Sequence, residues 1–179
     1  IDVIVPRGGR SLTERVGQES KVAVLKHLDG ICHIYLDAAA DPIKAETIAV
    51  NAKMRRTGVC GAAETILVHK DAVETALPNV VKGLLDSGCE VRGDSATQLL
   101  DDRVLAATAE DWDTEYLAPI VSIKVVEGLQ DAILHVGKHG SHHTDSIITE
   151  DNHSAEEFMK RVDSGIVLHN ASTQFADGG

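Results

Sequence analysis

Gly58-Val59-Cys60-Gly61-Ala62-Ala63-Glu64-Thr65-Ile66-Leu67-Val68-His69 is the stretch on which the reading of the fold turns. Glycines at 58 and 61 bend the chain around a cysteine, and Thr65 to His69 follow as an apolar, β-branched run that reads as a buried strand. A thiol on a short loop beside a rigid strand is open to a small molecule while its position stays fixed, which is what a nucleophile needs. The same residues also fit a small packing cysteine, because most free cysteines are buried and inert.

Outward from this stretch, strand and helix signals alternate. Upstream, residues 1–5 read as a strand ending at Pro6-Arg7-Gly8-Gly9-Arg10, where two glycines and two arginines make either an anion cradle or an ordinary tight turn. A helix over residues 11–17, a short strand over 21–25 and a strand over 31–36 come next. Asp41 as N-cap and Pro42 at the first helical position open a helix with Ala45, Ile48, Ala49 and Ala52 on one face. Lys53, Arg55 and Arg56 gather at its end, where cations suit the helix dipole.

Downstream, Asp71-x-x-Glu74 reads as a capping box, Pro78 breaks or restarts that helix, and Val80, Val81, Leu84 and Leu85 carry an apolar face to Gly88. Strands are expected over residues 89–92, 104–107, 120–126, 146–149 and 166–169. Between them fall a weak helix over 95–102, an acidic loop over 110–115 and a helix from Leu129 closed by Gly137 and Gly140. A helix opened by the capping box Ser154-x-x-Glu157 turns Ala155, Phe158, Met159 and Val162 inward. This alternation implies an α/β fold with a largely parallel sheet.

The chain has 179 residues, enough for one substantial core or for one domain plus part of another. A formal charge of −11 and 3% aromatic residues argue against nucleic-acid binding, which needs a basic footprint and often stacking platforms. No apolar run is long enough to span a membrane. Three cysteines, none in a C-x-x-C pair, argue against a disulfide framework and a zinc or dithiol site, and fit a reducing, cytoplasmic compartment. The sequence opens on a strand-like run and closes on a loop-like one, so both ends look cut.

Several motifs go beyond a generic α/β pattern. Ile4-Val5-Pro6-Arg7-Gly8-Gly9, Asp29-Gly30-Ile31-Cys32-His33-Ile34-Tyr35 and Val59-Cys60 through His69 resemble the γ-glutamyl phosphate reductase (glutamate-5-semialdehyde dehydrogenase) family of the aldehyde dehydrogenase superfamily. So do Glu110-Asp111-Trp112, residues 141–145, Asp163-Ser164 and Asn170-Ala171-Ser172-Thr173, all in the family's order. The resemblance implies a three-layer, aldehyde dehydrogenase-like catalytic domain over residues 26–170. It also implies that residues 1–25 are the last strand-helix-strand of an NADP-binding domain and that residues 171–179 begin a loop returning to it.

The resemblance further implies NADPH-dependent reduction of L-glutamyl 5-phosphate to L-glutamate 5-semialdehyde, in proline biosynthesis, through a thioester on Cys60. A helix end or a cation such as Lys53, Arg55 or Arg56 would activate the thiol. Arg7, Gly8, Gly9 and Glu115 would border the NADPH, while His143, Asn170, Ser172 and Thr173 would face the glutamyl substrate. No metal is implied, despite the dense histidines of His139-Gly140-Ser141-His142-His143. The partners implied are a small-molecule substrate and, in full-length members, further copies of the chain.

Two departures stand out. Where hydrolytic relatives carry a water-activating glutamate, the sequence reads His27-Leu28-Asp29-Gly30-Ile31, which suits a thioester exchanged with phosphate and not with water. Gly61 replaces an asparagine common in the family, which is expected to loosen the loop. Two other readings remain: a folded but non-catalytic fragment, and the reductase part of a bifunctional pyrroline-5-carboxylate synthetase.

Overall fold

The computed structural model describes residues 1–6, 8–26 and 29–177. Alternating runs become alternating elements. Strands β1 (Val3–Ile4) and β2 (Ala23–Val24) form a small parallel pair joined through helix α1 (Arg10–Glu19). The remaining strands are β3 (Cys32–Leu36), β4 (Ala63–His69), β5 (Glu90–Gly93), β6 (Leu105–Ala106), β7 (Ile120–Val126), β8 (Thr144–Ile148) and β9 (Ile166–His169). They make one sheet in the order β6-β5-β7-β4-β3-β8-β9, with every pairing parallel.

Parallel strands need crossovers, and helices supply them on both faces. Helices α2 (Pro42–Met54) and α3 (Leu77–Asp86) pack together on one face, and α5 (Leu129–His139) and α6 (Asn152–Arg161) on the other. The period of two in a strand sorts the core between these layers. Ile34, Leu36, Ile66, Val68, Val121 and Ile123 join the α2/α3 cluster, whereas Tyr35, Leu67, Ile147 and Phe158 join the α5/α6 cluster. Each such buried aliphatic contributes about 1.5–3 kcal/mol of transfer free energy. The result is a three-layer α/β sandwich, with the parallel sheet expected from the alternation and the three layers implied by the resemblance.

Local signals place most ends correctly. Asp41 accepts from the Ile43 and Lys44 N–H groups at 3.0 and 2.8 Å, with Pro42 in the first turn of α2. Two capping boxes do not form. The Lys70–Ala72 segment is a single 3-10 turn capped by the His69 ring, and α3 begins at Leu77 with Pro78 in its first turn. Helix α6 is capped by Asp151, which holds the His153 N–H at 2.9 Å and the Ser154 hydroxyl at 3.1 Å. Aspartate is as good an N-cap as serine, and capping three residues earlier rotates no core residue out of register.

Other boundaries also shift. Helix α4 (Ser95–Gln98) is shorter than its pattern, and Gly137 lies inside α5, which Gly140 closes. The acidic loop contains a 3-10 turn over Glu110–Asp113. Met159, read as inward, is 41% exposed, while its neighbour Phe158 is fully buried against Tyr35. Among the described residues no helix is long and apolar enough to cross a membrane.

The Phe158/Met159 contrast is measurable. Phe158→Ala should cost about 3–5 kcal/mol, as a buried ring truncated in a packed layer does. Met159→Ala should stay within about 0.5 kcal/mol, the usual range for surface positions. Urea unfolding of the two variants checks this, and equal costs would restore the inward reading of Met159.

Candidate active site

The loops that precede β3, β4, β7 and β8 all emerge at the amino edge of the main sheet. They carry Asp29 to Ile31, Gly58 to Ala62, Asp113 to Pro119 and Ser141 to His143. Opposite them lie the ends of the small β1/β2 unit. Between the two sits a cleft of about 820 Å³ lined by residues that include Val5, Gly8, Gly9, Asp29, Cys60 and Glu115.

The backbone around Cys60 is gripped on both sides. A Cβ at Gly30 would fall 2.1 Å from the Cys60 carbonyl oxygen and 2.6 Å from its Cα, so only glycine permits this approach. Ile31 N–H, next along, donates to Ser141 Oγ at 2.9 Å. From below, the Cys32 thiol donates to the Cys60 carbonyl at 3.1 Å. On the far side Gly61 is buried, and a Cβ there would lie 3.3 Å from the Thr173 carbonyl oxygen. The glycine at 61 therefore packs the loop closely, contrary to the loosening expected of it. Gln174 completes the clamp by donating from Nε2 to the Ala52 and Arg56 carbonyls at 2.8 and 3.1 Å, which satisfies the end of α2.

Cys60 is half-buried and no disulfide engages any of the three cysteines. The other two thiols are sealed in. Burial raises the Cys32 thiol well above its ordinary value, with Asp145 adding to the effect. Burial likewise pushes the Cys89 thiol up to about 12.

Lys53 is not an exposed helix-end cation, as its position suggested. Both it and Glu64 are fully buried, and its ammonium lies 2.5 Å from Glu64 Oε2. Its charge is committed to that carboxylate, in an interior where an unpaired ion would be costly. Arg55 and Arg56 are exposed. Burial raises the Glu64 carboxyl to about 7, although Lys53 and the Leu117 and Tyr116 N–H groups pull it down. Leu117 N–H meets Glu64 Oε1 at 3.4 Å, which ties the loop before β7 to the pair.

That loop is fixed from its other side by Asp111. Burial opposes the Asp111 charge, yet Thr108, Tyr116 and Arg92 all donate to it and together hold it down at about 2. Glu115, between these anchors, receives the Gly30 N–H at 2.8 Å. The carboxylate thus reaches across 85 residues of sequence to the backbone that presses on Cys60.

Cys60, Gly8, Gly9 and Glu115 therefore share one cleft. Gly8 has φ +152°, and a Cβ there would meet Leu12 at 2.8 Å. Arg7 lies outside the described residues, as do His27 and Leu28 of the stretch without a glutamate; Asp29 does line the cleft. The other expected residues are placed differently. His143 bonds Thr144 Oγ1 at 2.8 Å and lies 3.6 Å from Cys32 Sγ. Asn170 is occupied with the Thr149 backbone, and Ser172 Oγ accepts from Gln174 N–H. Thr173 is buried with Oγ1 unpartnered among the described residues. The structure gathers none of these four with Cys60 among the described residues lining the cleft.

The other two histidines of the dense run have ordinary partners. His139 pairs with Asp113 at 2.7 Å and His142 donates to the Asp163 carbonyl at 2.5 Å. No group of three metal-ligating side chains occurs among the described residues. Glu64, Ser141, Cys32 and Gln174 were missed as site builders. A lone carboxylate inside Ala62-Ala63-Glu64-Thr65-Ile66-Leu67 was the one visible signal.

The fold is aldehyde dehydrogenase-like. An acetylating aldehyde dehydrogenase from Geobacillus thermoglucosidasius superposes with a TM-score of 0.74 at 17% identity, over 98% of this chain and 47% of that one. The match is far closer to one branch of the class. γ-Glutamyl phosphate reductase from Thermotoga maritima superposes with a TM-score of 0.93 at 41% identity, over 98% of this chain and 42% of that one. The γ-glutamyl phosphate reductase of Methylorubrum extorquens is 62% identical over 179 residues, all of this chain and 41% of that one. Over its whole length the chain is homologous to proteins named γ-glutamyl phosphate reductase, and it spans about 41% of the length of that curated relative. No protein-family model matches it.

Two outcomes follow from the geometry. Gly30→Ala should destabilise the protein by about 1–3 kcal/mol, as overpacking against backbone does, and displace Cys60; Gly9→Ala, with nothing within 4 Å, should be tolerated. Thermal unfolding and thiol labelling of both variants check this. The raised Glu64 carboxyl means that the folded state holds this proton more tightly than the unfolded chain. Its stabilising contribution is therefore full below the ordinary carboxylate range and is lost as pH rises through about 7. Stability measured from pH 5 to pH 8 should fall less steeply in Glu64→Gln than in the parent.

Proposed function

We propose that this chain supplies the nucleophile-bearing part of a γ-glutamyl phosphate reductase. The reaction is NADPH-dependent reduction of L-glutamyl 5-phosphate to L-glutamate 5-semialdehyde and phosphate, a step of proline biosynthesis. The observation that carries this reading is the meeting of Cys60 with Gly8, Gly9 and Glu115 around one cleft. It is supported by 62% identity to a relative named γ-glutamyl phosphate reductase.

In this reading the Cys60 thiolate attacks the acyl carbon of the glutamyl phosphate. A carbon–sulfur bond forms, the carbon–oxygen bond to phosphate breaks, and phosphate leaves with the electron pair. The nicotinamide, when bound, supplies the hydride that reduces the thioester carbon. The resulting tetrahedral alkoxide collapses to the aldehyde as the carbon–sulfur bond breaks, which returns the Cys60 thiolate. The Cys60 N–H is the natural donor to the developing oxyanion.

The cleft suits a nicotinamide cofactor. Gly8 and Gly9 let a ligand approach their backbone closely, and Glu115 offers a carboxylate to ribose hydroxyls. A neighbour of this fold, an engineered glycolyl-CoA reductase, is described with bound NADP+. The clamp of Gly30, Gly61 and Cys32 on the Cys60 backbone holds the nucleophile in place, which is how positioning lowers a barrier.

Cys60→Ser, assayed in a protein of the relatives' full length that carries this sequence, should abolish reduction and leave the unfolding midpoint unchanged. Retained activity would sink the thioester reading. Alkylation should favour Cys60 over Cys32 and Cys89, whose thiols burial keeps protonated, and peptide mapping after brief iodoacetamide treatment reads the order.

A further inference from the structure

The Lys53–Glu64 pair lies outside the cleft lining, yet it is tied to two of the loops that build the sheet-side wall. Glu64 follows Cys60 by four residues and is the second residue of β4, while Lys53 lies in the last turn of the helix that leads into the Cys60 loop. The same Glu64 carboxylate faces the Tyr116 and Leu117 N–H groups. The Lys53 ammonium stands 5.7 Å from the Tyr116 ring centre, and the Arg92 guanidinium 5.2 Å from it. Tyr116 OH is held by Asp111 at 2.7 Å and Ser122 at 2.6 Å.

Leu117 has φ +51°, a conformation an L-residue keeps only when its surroundings impose it. Leu117 and Glu115 both line the cleft, and Glu115 holds Gly30 N–H against the Cys60 backbone.

An apolar pair of similar volume would fill the space of Lys53 and Glu64 without the cost of burying two charges, and such replacements are often neutral or stabilising. It would offer no acceptor to the 116–117 backbone. We infer that Glu64, kept in place by Lys53, is a positioning residue for the reaction: its carboxylate fixes the 115–117 loop and so sets Glu115 and Leu117 against Cys60. The inference rests on the proposed reductase reading. Glu64 acts through the loop and touches neither substrate nor cofactor.

Two double variants separate this from a purely structural role, made in a protein of the relatives' full length that carries this sequence. Lys53→Met/Glu64→Gln removes the charges and keeps an acceptor, whereas Lys53→Met/Glu64→Leu removes both. With similar thermal midpoints, the glutamine double should keep kcat/KM within about threefold of the parent. The leucine double should lose about tenfold or more, equivalent to roughly 1.4 kcal/mol, with a raised KM for NADPH. Hydrogen exchange at the Tyr116 and Leu117 amides should quicken about tenfold in the leucine double alone.

Equal kcat/KM and equal exchange in the two doubles would overturn the inference. The exchange measurement also stands without any variant. In the unmodified protein these two amides should exchange at least about a hundredfold slower than in an unfolded chain, and unprotected amides would overturn the inference. A parent protein without turnover would sink the reductase reading instead, and the exchange rates would still judge the loop.

Discussion

A lysine and a glutamate sealed completely inside an α/β sandwich constrain everything around them. Taking both charges out of water is expensive, and their attraction offsets that only with close geometry and with the remaining lone pairs satisfied. Lys53 and Glu64 meet the first condition at 2.5 Å, and the Tyr116 and Leu117 N–H groups supply the second. The pair therefore cannot be satisfied unless α2, β4 and the loop before β7 are all in place together. Removing one member leaves an uncompensated buried charge, which typically costs about 3–5 kcal/mol. Two of the loops lining the cleft, the one between α2 and β4 and the one before β7, rest on these elements, so that part of its wall follows from an electrostatic requirement of the core.

That arrangement also explains why the site lies where it does. Open parallel sheets usually bind ligands beyond the carboxyl ends of their strands. Here the thiol precedes β4, Gly30 precedes β3, Glu115 precedes β7 and His143 precedes β8, so the loops converge on the amino edge. Such loops must approach one another closely, and Gly30 pressed on the Cys60 carbonyl is the closest of them. The β1/β2 unit closes the opposite wall with Gly8 and Gly9, so the cleft is framed by backbone on one side and by a thiol and carboxylates on the other.

How much of this could be read from the chain depends on the range of the interaction. The strands at 32–36, 63–69 and 120–126 are apolar runs whose pattern is local, and the Asp41-Pro42 start of α2 is a cap written in adjacent residues. The two capping boxes failed for a local reason too: a histidine ring and an earlier aspartate competed for the same N–H groups. Cys60 was visible because glycines and a strand flank it. The hold on it was not, because Glu115 finds Gly30 across 85 residues and Gln174 finds Ala52 across 122. Lys53 was misread for the same reason. At a helix end a lysine looks solvated, and only the fold brings the lone carboxylate of an apolar strand to meet it.

The three thiols show what the fold adds to composition. Cysteine chemistry follows the thiolate, and burial disfavours the thiolate strongly at Cys32 and Cys89. Cys32 nevertheless lies beside Cys60, where its protonated thiol donates to the Cys60 carbonyl. A buried thiol that stays protonated is a fixed donor, so the group that would be useless as a nucleophile serves to hold the neighbouring one. The sequence contains three cysteine thiols, and the fold divides them: one held on the cleft wall, one beneath it as a hydrogen-bond donor, one packed in the core. What sets Cys60 apart is thus the two backbone glycines and the buried thiol that hold it on the cleft wall.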